Sequence, residues 1–154
     1  MFLSETPGAL KRFHKTAWKC QRTFKTPLQN LQTFVTTIVS AAPGLRAASV
    51  TVEQAVFEPK HLNGLLTQYS IPLKYDRGLS LIASDRQEAE GLLLAVLSDW
   101  IDFLFIPDPK QFAIYADHDE FTTFYAQTRS NLNRVVSALS GQGFETVPGY
   151  ERQP

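Results

Sequence analysis

The stretch IDFLFIPDPKQFAIYA, residues 101–116, constrains the fold of this chain more than any other. Two runs of aliphatic, β-branched and aromatic residues, 101–106 and 111–116, flank PDPK, which reads only as a turn, so the segment is expected to form a β-hairpin. Successive side chains on a strand point to opposite faces. Phe103, Phe105, Phe112 and Ile114 therefore share one face of the hairpin, and Leu104, Ile106, Ala113 and Tyr115 share the other. Because both sets are apolar, the sheet has to be covered on both sides. Whatever supplies the second cover shapes any binding surface.

Hydrophobic periodicity places the remaining elements. Leu10, Phe13, Ala17, Cys20 and Phe24 recur at spacings of three and four and predict a helix over 8–25. TPLQ at 26–29 then predicts a second helix, with Thr26 as its cap and Leu31, Phe34, Val35, Ile38 and Val39 as its stripe, stopped by APG at 42–44. AASVTVEQAVF at 47–57 reads as a strand, and Pro59 opens a short helix with Leu62, Leu65, Leu66 and Tyr69 on one face. IPLKYDRG at 71–78 is connecting chain, and LSLIAS at 79–84 is a strand. Asp85 and Glu88, in capping spacing, start a helix on Ala89, Leu92, Leu93, Val96, Leu97 and Trp100, with Trp100 closing its apolar face. After the hairpin, Phe121, Phe124, Tyr125, Thr128, Leu132, Val135, Val136 and Leu139 predict a last helix over 118–140, and Phe144 to Pro148 a final strand.

From residue 79 the expected order is strand, helix, two strands, helix, strand, the order of a ferredoxin-like split βαβ core. The fold class is thus α+β, an antiparallel sheet with additional N-terminal helices packed on it as the second cover. A single domain over 1–154 is expected, with a helical segment at 1–45 and the sheet-containing core at 46–154.

Composition removes several classes of function. With 44% apolar and 19% charged residues the chain has enough core to fold, which argues against disorder. Its longest apolar runs, such as GLLLAVL at 91–97, fall short of the ~18 residues that span a bilayer, and the N-terminus lacks the basic-then-apolar order of a secretory signal. A cytoplasmic location is expected. Cys20, the only cysteine, excludes an internal disulfide and a cysteine-rich zinc site within one chain.

The one cluster with chemical character is ADHDEF at 116–121. As the start of a helix it reads as a capping box, Asp117 with Glu120, and the carboxylates suit the positive end of the helix dipole. The chemical alternative makes Asp117, His118 and Asp119, joined by Asp102, the polar mouth of a catalytic or ligand pocket between the sheet and the N-terminal helices. Consecutive residues on a helical turn diverge by about 100°, so these residues do not gather round one ion and no metal site is expected. No cofactor is expected either: the chain has no glycine-rich phosphate loop, G-x-S-x-G elbow or H-E-x-x-H pair. His14 and His61 have no partner at i+3 or i+4 and read as ordinary surface residues.

Charge is unevenly distributed. Residues 1–52 hold seven Lys/Arg and one acidic residue, whereas 53–154 hold eight and fourteen. Lys11, Arg12, Lys15, Trp18, Lys19 and Arg22 make the N-terminal segment the best candidate binding surface, unless it packs against the acidic body of the same chain. KQFAIYAD at 110–117 resembles the aromatic strand of RNA-recognition domains at Lys110, Phe112 and Ala113 but departs from it at Gln111, Ile114 and Asp117. The expected function is that of a small non-catalytic interaction or regulatory protein, binding a protein partner or a second copy of itself. An enzyme or small-ligand binder near Asp117–Glu120, and nucleic-acid binding through the basic helix, are the alternatives.

Overall fold

Among the described residues the hairpin lies at the middle of a seven-stranded sheet. The computed structural model describes residues 1–72 and 77–153, so the connecting stretch expected at 71–78 falls partly outside the described residues. In chain order the elements are β1 (Phe2–Leu3), α1 (Ala9–Lys15), β2 (Cys20–Lys25), α2 (Leu31–Ser40), β3 (Ala47–Gln54), α3 (Lys60–Gln68), β4 (Ser80–Ala83), α4 (Arg86–Ser98), β5 (Asp102–Asp108), β6 (Ala113–Ala116), β7 (Phe121–Ala126) and α5 (Arg129–Gly141). The strand order is β1-β4-β3-β5-β6-β7-β2, and neighbours pair antiparallel throughout. β4 and β5 both run antiparallel to β3, so they are parallel to each other with β3 between them and α4 as the connection.

The α+β class holds, while two of the expected helices are wrong in the same way. Over 8–25 only α1 is helical, and Cys20–Lys25 form the edge strand β2. Over 118–140 the helix begins at Arg129, and Phe121–Ala126 form β7. CQRTFK and FTTFYA are rich in Thr and Phe, residues that fit a pleated, half-buried surface, and each finds a partner strand in the other. From β4 onward the order is therefore strand, helix, three strands, helix, and the ferredoxin-like alternation fails at β7. The segment 1–45 is accordingly not a helical unit, since β2 belongs to the sheet. Phe144–Pro148 supply a single bridge, Phe24 to Thr146, in place of a full strand.

Helix starts follow the same lesson. Asp85 caps α4 as expected, its Oδ1 accepting from Glu88 N–H at 2.8 Å. Thr26 does not cap α2, which starts after Asn30; its hydroxyl is buried and bonded to that of Thr122 at 2.7 Å. α5 is capped by Thr128, which accepts from Asn131 N–H at 3.1 Å. Trp100 lies past the end of α4 at φ 55°, partly exposed and outside both hydrophobic clusters, which corrects its assignment to the core.

The hairpin's division of faces is as expected. Phe103, Phe105, Phe112 and Ile114 enter the main core with residues of α2, α3, α4 and α5, among them Phe34, Leu62, Leu92 and Val135. Leu104, Ala113 and Tyr115 join Phe13 of α1 and Tyr125 in a second, smaller core, with Leu10, Trp18 and Ile106 packed against it. α1 is thus one cover of the second face. Phe13 stacks on Tyr115 at 6.0 Å between ring centroids and meets Tyr125 edge-on at 5.1 Å.

Candidate functional site

The acidic segment that reads as a helix start forms the β6–β7 turn. Asp117 Oδ1 accepts from the N–H groups of Asp119 at 2.9 Å and Phe121 at 3.3 Å, while Asp117 N–H donates to Phe121 O at 3.1 Å. Glu120 then adopts φ 71°, the left-handed residue that closes a three-residue hairpin loop. An aspartate that can satisfy N–H groups two to four residues ahead serves a turn as well as a helix cap, which is why the local pattern did not separate them.

The turn brings together the four residues singled out for chemistry. Asp102, at the start of β5 and buried, accepts at one oxygen from both His118 N–H and His118 Nδ1, each at 2.8 Å. That bond raises the His118 pKa above its ordinary value, against a smaller opposing effect of burial. Asp119 Oδ1 stands 3.8 Å from His118 Nε2 and is largely exposed. Asp117 turns its other oxygen to the Arg152 guanidinium. Asp102 orients His118, and Arg152 neutralises Asp117. Among the described residues the hydrogen-bond and charge partners of His118 are Asp102 and Asp119.

The sequence held no local signal for Arg152. The C-terminal tail follows the free edge of β2, with Lys25 N–H donating to Glu145 O at 3.0 Å and Val147 N–H to Thr23 O at 2.9 Å. It then places Arg152 over Tyr115, 4.8 Å from the ring centroid, while its carbonyl accepts from Gln21 at 3.0 Å and Tyr125 at 3.2 Å. Burial and the Glu53 carboxylate, which accepts from its hydroxyl, push the Tyr115 pKa upward. α1 and the tail therefore share the cover of the second sheet face.

The same carboxylate device recurs three residues upstream of Asp102. Asp99 Oδ1 accepts from His61 N–H at 3.0 Å and His61 Nδ1 at 2.7 Å, and its Oδ2 from Leu62 N–H at 2.8 Å, so it caps α3 from a distance. His61 has no partner at i+3 or i+4, as read from the sequence, and its carboxylate partner is 38 positions away. Among the described residues no group of three or more His, Cys, Asp and Glu is placed to hold a metal ion.

The basic candidates do not share one helical face. Lys11, Arg12 and Lys15 are exposed on α1, Trp18 lies in the linker packed against Phe13 and Tyr125, and Lys19 and Arg22 are exposed at and just before the edge strand. Arg12 donates to Pro7 O at 2.7 Å, and Lys110 stands over the Trp18 ring at 5.1 Å from its centroid. Among the described residues none of these five cations is in an ion pair, so the acidic half of the chain does not consume them. Two depressions flank α1: one of about 500 Å³ lined by Lys11, His14, Lys15 and Arg77, another of about 420 Å³ lined by Arg12, Lys15, Lys110 and Ser49. Neither is lined by Asp102, Asp117, His118 or Asp119. No helix among the described residues is long and apolar enough to cross a membrane. No family model, curated protein or solved structure matches the chain.

Proposed function

We propose that this chain is a cytoplasmic, non-catalytic interaction protein that docks an acidic protein surface on the cations of α1 and the start of β2. The observation that carries the reading is that Lys11, Arg12, Lys15, Lys19 and Arg22 are exposed and, among the described residues, without carboxylate partners. Exposed like charges held on a rigid element cost self-repulsion, which an anionic partner relieves, and they steer association at low salt. Asp102, Asp117 and His118 satisfy one another or Arg152, which favours a structural part for that cluster over acid–base work.

A protein partner is favoured over nucleic acid because the aromatic residues nearest the cations are packed away. Phe13 is buried, and Trp18 lies against Phe13 and Tyr125, so neither offers an open face on which bases stack. The test uses two defined probes, a glutamate-rich peptide and a single-stranded RNA oligomer, with Lys11→Glu/Lys15→Glu as the variant. The reading expects salt-sensitive binding of the peptide that the variant loses. Equal binding by the variant, or binding of the RNA alone, overturns it.

A further inference from the structure

A third cationic depression lies at the other end of the basic strip, where the edge strand meets α5. Cross-strand pairing sets its geometry: Cys20 faces Ala126, Arg22 faces Phe124 and Phe24 faces Thr122, so Cys20, Arg22 and Phe24 point to the helix-covered side of the sheet. Phe24 enters the main core there, and the partly buried Cys20 packs against it. Arg22, between them on the outermost strand, stays exposed beside the first turn of α5. The depression has a volume of about 430 Å³, and its charged lining is Lys19, Arg22, Arg129 and Glu151, with Gln21 and Asn133 as neutral hydrogen-bonding groups. Among the described residues none of these four charged side chains is in an ion pair.

We propose that this depression is a binding site for a phosphate dianion, free or as a monoester, held by Arg22, Arg129 and Lys19. Three cations against one carboxylate leave an excess of two positive charges, which matches a phosphate dianion. Two guanidinium groups supply the planar forks that fit phosphate oxygens. α5 carries no acidic residue in its first turn, so its N-terminal end adds no repulsion to an anion there. Glu151 is the one opposing group, and it fixes the sign of a test. The site rests partly on the docking reading, because Lys19 and Arg22 belong to both, yet Arg129 and Asn133 come from an element that reading does not use.

The experiment is a titration of the whole chain, at constant ionic strength, with inorganic phosphate and with a phosphoserine peptide and its unphosphorylated counterpart. Binding is followed by amide shifts at β2 and the start of α5. Arg22→Ala and Arg129→Ala are each expected to weaken phosphate binding by about tenfold, and Glu151→Gln to tighten it. Lys25→Ala, an exposed cation of β2 on the opposite face, is expected to change nothing. A phosphopeptide that binds more tightly than inorganic phosphate assigns the dianion to a modified protein, and the reverse order assigns it to free phosphate. Either order supports the site provided Arg22 and Arg129 are required. Phosphate that binds without shifts at β2 and α5, or Lys25→Ala weakening binding as much as Arg129→Ala, overturns it. Lys11 and Lys15 do not line this depression, so their reversal tests docking alone and leaves the phosphate titration intact.

Discussion

At the scale of single residues, the β6–β7 turn separates two meanings of one sequence pattern. Asp-x-x-Glu starts α4 through Asp85 and Glu88, but at 117–120 it closes a hairpin, with Glu120 at φ 71°. A left-handed conformation costs a residue with a Cβ about 1 kcal/mol that glycine avoids. Glu120→Gly is therefore expected to hold or raise the stability measured by urea denaturation, by up to about 1 kcal/mol, whereas in a helix first turn the same change would lower it. His118 offers a second check. Its folded pKa is raised by Asp102, so the stabilisation from this pair is fully present below the ordinary histidine value of ~6.5 and is lost as pH rises through the folded value. An NMR titration is expected to place the His118 midpoint above ~6.5 in the native chain and to bring it down in Asp102→Asn. An unchanged midpoint in that variant would show that Asp102 is not the cause. The candidate residues were legible one by one, since Asp102, Asp117, His118 and Asp119 do meet. Their roles were not, because Arg152 arrives from 35 positions away and no spacing rule announces it.

At the scale of elements, what could be read was whatever local chemistry determines alone. The hairpin, α3, β4 and α4 follow their own apolar patterns, although Asp99 caps α3 from a distance, and the two faces of β5 and β6 sort as alternation requires. β2 was misread because its partner strand, β7, lies about a hundred residues away, with Thr23 to Thr123 hydroxyls 2.8 Å apart in the join, and β7 because the β6–β7 turn reads as a helix start. Helical spacing of the apolar residues competed with strand propensity, and the partner strands decided it. Helix ends show the same priority of tertiary demand over preference. After α4, Trp100 N–H donates to Leu97 O and Ile101 N–H to Val96 O, the bonding of a Schellman stop, with tryptophan at φ 55° where glycine is usual. Glycine is ordinarily less favourable than alanine, but here the order should invert. Trp100→Gly is expected to be more stable than Trp100→Ala by about 1 kcal/mol, as measured by urea denaturation. Equal midpoints would mean that the stop relaxes when the ring is removed.

At the scale of the whole molecule, α1 has to answer for both covering and docking. Its inward side carries Phe13, 3% exposed, between Tyr115, Tyr125 and Trp18 on the second face of the sheet. Its outward side carries Lys11, Arg12 and Lys15 in solvent. Truncating a buried phenylalanine costs about 3–5 kcal/mol where the surroundings do not collapse. Phe13→Ala is expected near the lower end of that range, because a seven-residue helix at the edge of a small cluster can settle inward, and it should open the face of Leu104 and Tyr115 to a hydrophobic dye. Lys11→Glu/Lys15→Glu, on the same helix, should leave the stability measured by urea denaturation within about 0.5 kcal/mol of the native chain, since exposed charges without partners contribute little to folding. The pair of variants thus separates the two roles: one loses stability with its charges intact, the other loses its partner with its fold intact. If Phe13→Ala leaves stability and dye binding unchanged, α1 is no cover, and the tail with Arg152 and Tyr150 must close the second face alone.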